Sequence, residues 1–388
     1  MMKTLEAFSR ISVLCVYLLA AAAVILLRTP IDYPVYAMAA YGFSRGEDVY
    51  SWAEGEYARA AEALGFSRYA PPYRYPPLAA LLVLPGLSLP DRGMGIWVAA
   101  QALSALLTAE VLARMARDPA RRILIRLGVG LLPPFFVSLY AGQINPLVTL
   151  GMILAVRWIG RGREGWGGLL LGLSLMLKPL ALGPAALCLY EGRRRALAGM
   201  ALGVALSLAA GLLAFGPPAM GFLRLHLPTS GGVYPPAQNL PGLAARWLIR
   251  HPYGFSLADD AGIARGVGWG LAGMLLLLTG IALGRPGKAH PDFVRRAGLV
   301  AIAFLLANPG TWYHHGTILS LPLAAWLTQP GHSRIGWGVL GASVGAIAIW
   351  GVAWHAFVGW TPLLDLATLG SLGLWALLAR EIRQESPR

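Results

Sequence analysis

The sequence predicts an all-helical protein that crosses a membrane many times. Three observations carry that expectation. Hydrophobic residues make up 56% of the 388 residues and charged residues only 13%, with a mean hydropathy of +0.59. Apolar runs close to the roughly 20 residues that span a bilayer core recur from end to end. The basic residues, which give a formal net charge of +14, fall in short clusters between those runs and not on one continuous basic face.

Threading the runs gives about twelve spans, at 11–27, 96–113, 123–141, 144–160, 166–178, 180–191, 196–215, 265–283, 297–308, 314–328, 335–355 and 362–379. The first follows a short head carrying Lys3 and Arg10. No small-residue cleavage site stands out, so it reads as a retained span. With the N-terminus inside, four basic clusters share the cytoplasmic side, as short basic loops do. They are Arg114, Arg117, Arg121 and Arg122; Arg157, Arg161 and Arg163; Arg193, Arg194 and Arg195; and Arg285, Lys288, Arg295 and Arg296. The protein is therefore expected in the inner (cytoplasmic) membrane, multi-pass, with two long segments outside, about 28–95 and 216–264. Both are rich in Tyr, Trp, Pro and Gly, and long loops of this content carry function.

Two stretches break the pattern. Residues 75–90, "YPPLAALLVLPGLSLP", are short and punctuated by prolines. A full span there would flip "RMARDPARR" to the outside, so a re-entrant or surface-lying segment is expected. Residues 166–191 contain "LMLKPLALGP", whose proline breaks the helix into two short spans or a broken hairpin. No period of 20–50 residues appears, and 1–388 reads as a single membrane domain. Cys15 and Cys188 lie in apolar runs and read as small core hydrophobes, not as a disulfide.

A strongly basic chain invites a nucleic-acid reading, but charge confined to short turns argues against it. The sequence holds no G-x-x-x-x-G-K-[ST] loop, no H-E-x-x-H, no Cys/His cluster and no D-x-D pair. No cofactor and no metal site is expected from it.

The polar residues that remain gather at the expected outer ends of spans. Asp32 sits just past the first span, with Tyr36 beyond it and Glu47 and Asp48 in the same loop. "YRYPPL" at 73–78 brings Tyr75. "YAGQINPL" brings Gln143 and Asn145. "LKPL" holds Lys178, one of three lysines against 29 arginines. "PAQNLPGLAARWL" carries Gln238 and Asn239, and "NPGTWYHHG" carries Trp312, Tyr313, His314 and His315. Each has a purely structural reading. Asp32 could cap a helix or pair with Arg28. The carboxamides could be interhelical glue. Lys178 could snorkel to the interface. Adjacent histidines point to different helix faces, so at most one is expected to share a site with the others.

Taken together they suggest chemistry. An ionisable group at a helix centre costs roughly 2.5–3.5 kcal/mol on insertion scales, so such groups tend to mark function. One carboxylate can take a proton from an acceptor hydroxyl. Cations can hold charge that develops on a departing phosphate. Aromatic rings stack on sugar faces. A sugar transfer from a lipid phosphate needs this set.

The same residues carry a resemblance. "DYPVYAMAAYGFSRGEDVYS" followed by "YRYPPLAALLVLP" is similar to the first outer loop of glycosyltransferase family 87. "GQINPLVTLGMILA", "GLLLGLSLMLKPLAL", "AQNLPGLAARWL" and "NPGTWYHHGTILSLPL" continue it in the family's order, over about residues 25–330. Members are polytopic GT-C enzymes that resemble the polyprenol-phosphate-mannose-dependent α-mannosyltransferases. The resemblance implies a GT-C fold, Asp32 as the base on the acceptor, and one of His314 and His315 in the active site. It implies transfer of a hexose, mannose above all, from a polyprenyl-phosphate donor to a glycolipid or glycan acceptor, with inversion and without metal. Lys178 is expected near the donor phosphate. Tyr36, Tyr75, Gln143, Asn145, Gln238, Asn239, Trp312 and Tyr313 are expected to contact acceptor or sugar. The alternative is a transporter or flippase of lipid-linked sugars, which would use the same groove and cations. Paired broken helices would favour it.

Overall fold

A computed structural model describes residues 2–27, 30–66, 72–225, 232–287 and 289–385. Arg28, the possible partner of Asp32, and Lys288 of the fourth basic cluster lie outside the described residues. Helices are numbered in chain order.

The chain opens with α1, Met2–Leu27, long and lightly packed. A short turn leads into α2, Tyr33–Ser44, which is mostly buried. Helix α3, Glu54–Ala63, is polar and carries Glu54 and Glu56 in its first turn, where acids favour the helix dipole. Helix α4, Pro77–Val83, runs on as a 3₁₀ turn, Leu84–Ser88. At about 1.5 Å per residue this pair reaches roughly 18 Å, too short for a hydrocarbon core of about 30 Å. Then come α5, Pro90–Ala113; α6, Pro119–Gly130; α7, Pro133–Ala141; and α8, Asn145–Gly160. Pro133 and Pro134 interrupt the run between α6 and α7, since proline cannot continue the hydrogen-bond ladder.

The second half holds α9, Glu164–Leu175; α10, Leu182–Tyr190; α11, Arg194–Phe215; α12, Leu240–Leu248; and α13, Ala261–Leu283. Helix α14, Phe293–Ala307, leads to a 3₁₀ segment, Tyr313–Leu319, and to α15, Ser320–Leu327. The chain closes with α16, Arg334–Ala353; the short α17, Thr361–Leu364; and α18, Leu366–Glu385. The described residues contain no strand.

The protein is a multi-pass membrane protein, and among the described residues six helices are long and apolar enough to cross a bilayer: Met2–Leu27, Arg92–Ala113, Pro119–Ala141, Arg194–Phe215, Ala261–Leu283 and Arg334–Phe357. Shorter apolar helices fill the middle. Nearly every residue of α14 and all of α15 are buried, and α8 packs against both α9 and α5. Helices α9 and α11 meet backbone to backbone. A Cβ added at Gly168 would lie 2.0 Å from the Ala196 carbonyl oxygen, and one at Gly203 would lie 2.3 Å from that of Leu169. Small residues permit such approach where no hydrophobic drive acts between helices.

The break in 166–191 is real and has a local cause. Pro179 clashes with a helical residue before it, so Lys178 is driven into an extended conformation, φ −164° and ψ 138°. The helix stops at Leu175 and restarts at Leu182, and the lysine is left in the gap.

The basic clusters gather at the helix ends away from that gap, and many are ion-paired. Arg193 bonds Glu164 at 2.8 Å and Glu191 at 2.7 Å, and Arg296 bonds Glu191 at 2.7 Å. Arg126 joins Glu110 at 3.0 Å and the Ser9 hydroxyl at 2.9 Å. The first set ties the starts of α9 and α14 to the end of α10, and the second ties α6 to α1 and to the end of α5.

Candidate active site at the helix ends

The opposite helix ends carry a connected polar cluster. It is built on the turn between α7 and α8. Gly142 ends α7 at φ +72°, a conformation glycine adopts without steric cost. A Cβ there would meet Pro30 at 2.7 Å. The absent side chain lets the first loop close on the turn, and the Asp32 amide donates to the Ala141 carbonyl at 2.8 Å. Trp97 of α5 donates its indole N–H to the Gly142 carbonyl at 2.8 Å. Gln143 is thereby fixed between three helices.

Asp32 stands at the N-cap position of α2 but makes no side-chain cap bond. Its carboxylate instead accepts from Gln143 Nε2 at 2.7 Å. The side-chain oxygen of Gln143 accepts from Lys178 Nζ at 2.9 Å, from the Tyr36 hydroxyl at 3.2 Å and from the Tyr75 hydroxyl at 3.3 Å. Lys178 also donates to Asn145 Oδ1 at 2.8 Å. Asn145 Nδ2 in turn donates to Ser138 Oγ at 3.1 Å and to the His314 carbonyl at 3.0 Å. The lysine is only 6% exposed, so it does not snorkel; its charge is held inside by two carboxamides. Its Nζ also lies 5.2 Å above the Tyr75 ring, within cation–π range.

Burial lifts the Asp32 carboxyl above the usual carboxylate range; the Gln143 hydrogen bond and the Lys178 charge pull it down but do not prevail. A half-buried carboxylate with a raised pKa is the better base, since proton transfer is favoured when the pKa approaches the working pH.

The two histidines do not diverge as expected. The 3₁₀ start of their segment brings the rings edge to face, with centroids 4.5 Å apart. His315 Nδ1 accepts from the Trp312 amide at 3.0 Å, and the part-exposed Trp312 ring lies 6.0 Å from that of His314.

The other expected residues lie elsewhere in the hydrogen-bond map. Gln238 bonds the Pro235 and Leu364 carbonyls, both at 2.7 Å, and accepts from Thr368 N and Oγ1. Asn239 caps α12 through Gly242 N and holds the Thr311 carbonyl at 2.7 Å. Both side chains are spent on clamping α12 to the segment before His314 and to α18. Tyr313 donates to the Ile347 carbonyl at 2.8 Å and anchors that segment to α16. In the first loop, Asp48 caps Tyr50 N at 3.2 Å and pairs with Arg224. Glu47 pairs with Arg45 at 3.0 Å.

Sequence reasoning missed one buried pair. Arg246 of α12 bonds Asp365, which also accepts from Trp247 Nε1 at 2.9 Å. The signal was present: a lone acid opens the last apolar segment at the same end as the arginine of "LAARWL". Trp97 and Ser138, which hold the site in place, gave none, because each sits inside an apolar run.

Among the described residues no three of His, Cys, Asp and Glu come together where they could hold a metal ion. One carboxamide thus joins a carboxylate to a buried lysine, on the side of the molecule away from the paired arginines.

The family model for glycosyltransferase family 87 matches residues 73–309, more than half of the chain. The chain belongs to glycosyltransferase family 87. Tyr75, Gln143, Asn145, Lys178, Gln238 and Asn239 lie within the match; Asp32 precedes it, and His314 and His315 follow it. No curated protein matches the chain. Two solved structures are similar to it, both of ArnT from Cupriavidus metallidurans. One is bound to undecaprenyl phosphate, at 17% identity over 95% of this chain and 77% of that one, with a TM-score of 0.46. The other is the apo state, at the same identity and coverage, with a TM-score of 0.32.

Proposed function

We propose that this protein is a GT-C enzyme that moves a hexose from a polyprenyl-phosphate donor to a glycolipid or glycan acceptor. On this reading the whole chain forms one domain, the reaction faces the outer side of the cytoplasmic membrane, and mannose is the sugar. The observation that carries it is the chain Asp32–Gln143–Lys178, with bonds of 2.7 and 2.9 Å. It sets a base and a cation on two sides of one carboxamide, so that one can serve a hydroxyl nucleophile and the other a phosphate leaving group.

The reaction is a single displacement. Asp32 takes the proton of the acceptor hydroxyl as its oxygen attacks the anomeric carbon. The bond from that carbon to the phosphate oxygen breaks, and its electron pair leaves with the phosphate. Lys178 holds the charge that develops there. Attack opposite the leaving group inverts the anomeric centre. The exposed Trp312 ring beside His314 offers an apolar face for a sugar. No metal is needed, because the lysine supplies the positive charge. Family membership favours transfer over the transport alternative.

The test is transfer by purified protein from polyprenyl-phosphate mannose to cell-envelope lipids, with the anomeric configuration of the product read by NMR. Retention of configuration would refute the single displacement, and use of a nucleotide sugar in place of the lipid donor would refute the donor class.

A further inference from the structure

Three donors converge on one atom, the side-chain oxygen of Gln143: Lys178 Nζ, the Tyr36 hydroxyl and the Tyr75 hydroxyl, at 2.9, 3.2 and 3.3 Å. An amide oxygen offers two lone pairs, so one donor is surplus. Tyr36 is fully buried, and its hydroxyl also accepts from the Ile144 amide at 3.5 Å, which commits it to the fold. Tyr75 is only partly buried and makes the longest of the three contacts. Its ring lies under Lys178 Nζ at 5.2 Å, so hydroxyl and ammonium can turn together toward a new acceptor. The partners that hold the ammonium, Gln143 and Asn145, are neutral. A cation and a hydroxyl aimed at one uncharged oxygen are arranged as donors to an oxyanion are.

We infer that the Gln143 oxygen holds two donors that turn to a phosphate oxygen when the donor lipid is bound, and that the Tyr75 hydroxyl is, with Lys178, the second donor to the leaving phosphate. This rests on the polyprenyl-phosphate reading above and assigns Tyr75 to the phosphate, where the sequence suggested a contact to acceptor or sugar. When the donor lipid arrives, Lys178 and Tyr75 pass to its phosphate. Gln143 keeps Tyr36 and its 2.7 Å bond to Asp32, so the base stays aimed while the cation is handed over. As the bond between sugar carbon and phosphate oxygen breaks, the electron pair stays on that oxygen. Both donors bond to the phosphate, and neither gives up its proton.

The experiment measures binding to full-length protein in nanodiscs. The probe is a short-chain polyprenyl phosphate, the leaving group by itself; the polyprenol of equal length is the uncharged control. Tyr75→Phe should weaken the phosphate about 10-fold or more, the range for a hydrogen bond to a charged group, and leave the polyprenol unchanged. Tyr36→Phe should weaken the phosphate less. If Tyr75→Phe binds the phosphate as tightly as the wild type while Lys178→Met does not, the role of Tyr75 is overturned and the proposed function stands. If the wild type binds the phosphate no better than the polyprenol, the donor reading itself falls. Should Tyr75→Phe fail to fold, 3-fluorotyrosine at position 75 replaces it. Its more acidic hydroxyl should tighten phosphate binding, and no change would overturn the inference.

Discussion

Asp32 and Lys178 face each other across a single carboxamide: Gln143 donates to the one at 2.7 Å and accepts from the other at 2.9 Å. A direct ion pair would hold the carboxyl low and use up the cation. The intervening amide keeps the two in register and leaves each free for its own partner.

The first consequence concerns the base. Asp32→Asn should lower turnover by at least about 100-fold, since general-base assistance contributes roughly 10²–10⁴-fold. Asp48→Asn and Glu47→Gln should be much milder. Asp48 caps Tyr50 and pairs with Arg224, and Glu47 pairs with Arg45; neither bonds Gln143 or Lys178. Initial rates of the three purified variants decide it, and a dead Asp48→Asn beside an active Asp32→Asn would move the base elsewhere.

The raised pKa of Asp32 sets the pH dependence. The acid limb of kcat/KM should lie above the ordinary aspartate value of about 3.9, with the rate rising as Asp32 loses its proton. Stability runs the other way. A carboxyl whose pKa is higher in the folded state stabilises fully below its unfolded pKa, and that contribution is lost as pH rises through the folded pKa. Asp32→Asn removes the loss. Its Tm relative to the wild type should therefore climb from about pH 4 toward neutrality, measured by thermal scanning. A relative Tm that falls over that window would mean the carboxylate is stabilised, not strained, by the fold.

Gln143→Glu would place a second carboxylate between base and cation. It should capture Lys178 and raise the donor KM by about 10-fold or more. It should also shift the acid limb upward, because like charges disfavour the ionised form of Asp32. Unchanged donor KM with an unmoved acid limb would show that Gln143 separates nothing of consequence.

Much of this was legible in the sequence, and the exceptions have physical causes. Helix positions follow from apolar runs. The break at Lys178 follows from the proline after it, which restricts its predecessor to extended conformations. Asp32, Gln143, Asn145 and Lys178 stand out because polar groups are costly where they lie. The short central helices were harder. Helices α8, α14 and α15 are buried by other helices, so their composition resembles that of spans although they are shorter. Gln238 and Asn239 looked like ligand contacts because a carboxamide in an aromatic loop has no visible partner in one dimension. Their partners, the carbonyls of Leu364 and Thr311, lie far along the chain. The histidine rings meet because the segment starts as a 3₁₀ turn, which a helical spacing rule does not anticipate.

Orientation is open to a direct check. Cys15 is exposed and Cys188 buried, so both are first replaced by alanine. A single cysteine at Ser51 should then react with an impermeant thiol reagent in intact cells given outer-membrane access, and one at Arg194 should react only after lysis. Ser230, a further outer position by sequence, lies outside the described residues. Labelling at position 194 in intact cells would invert the topology.

The central claim is that Asp32 and Lys178 serve one transfer from a lipid phosphate. Purified wild type, Asp32→Asn and Lys178→Met are incubated in nanodiscs with radiolabelled polyprenyl-phosphate mannose and cell-envelope lipids, and labelled products are counted. The wild type should form a glycosylated lipid. Asp32→Asn should bind the donor and form almost none, and Lys178→Met should regain part of its rate only at raised donor concentration. Product formation by Asp32→Asn at close to the wild-type rate, or a Lys178→Met defect that appears with acceptor and not with donor, would contradict it.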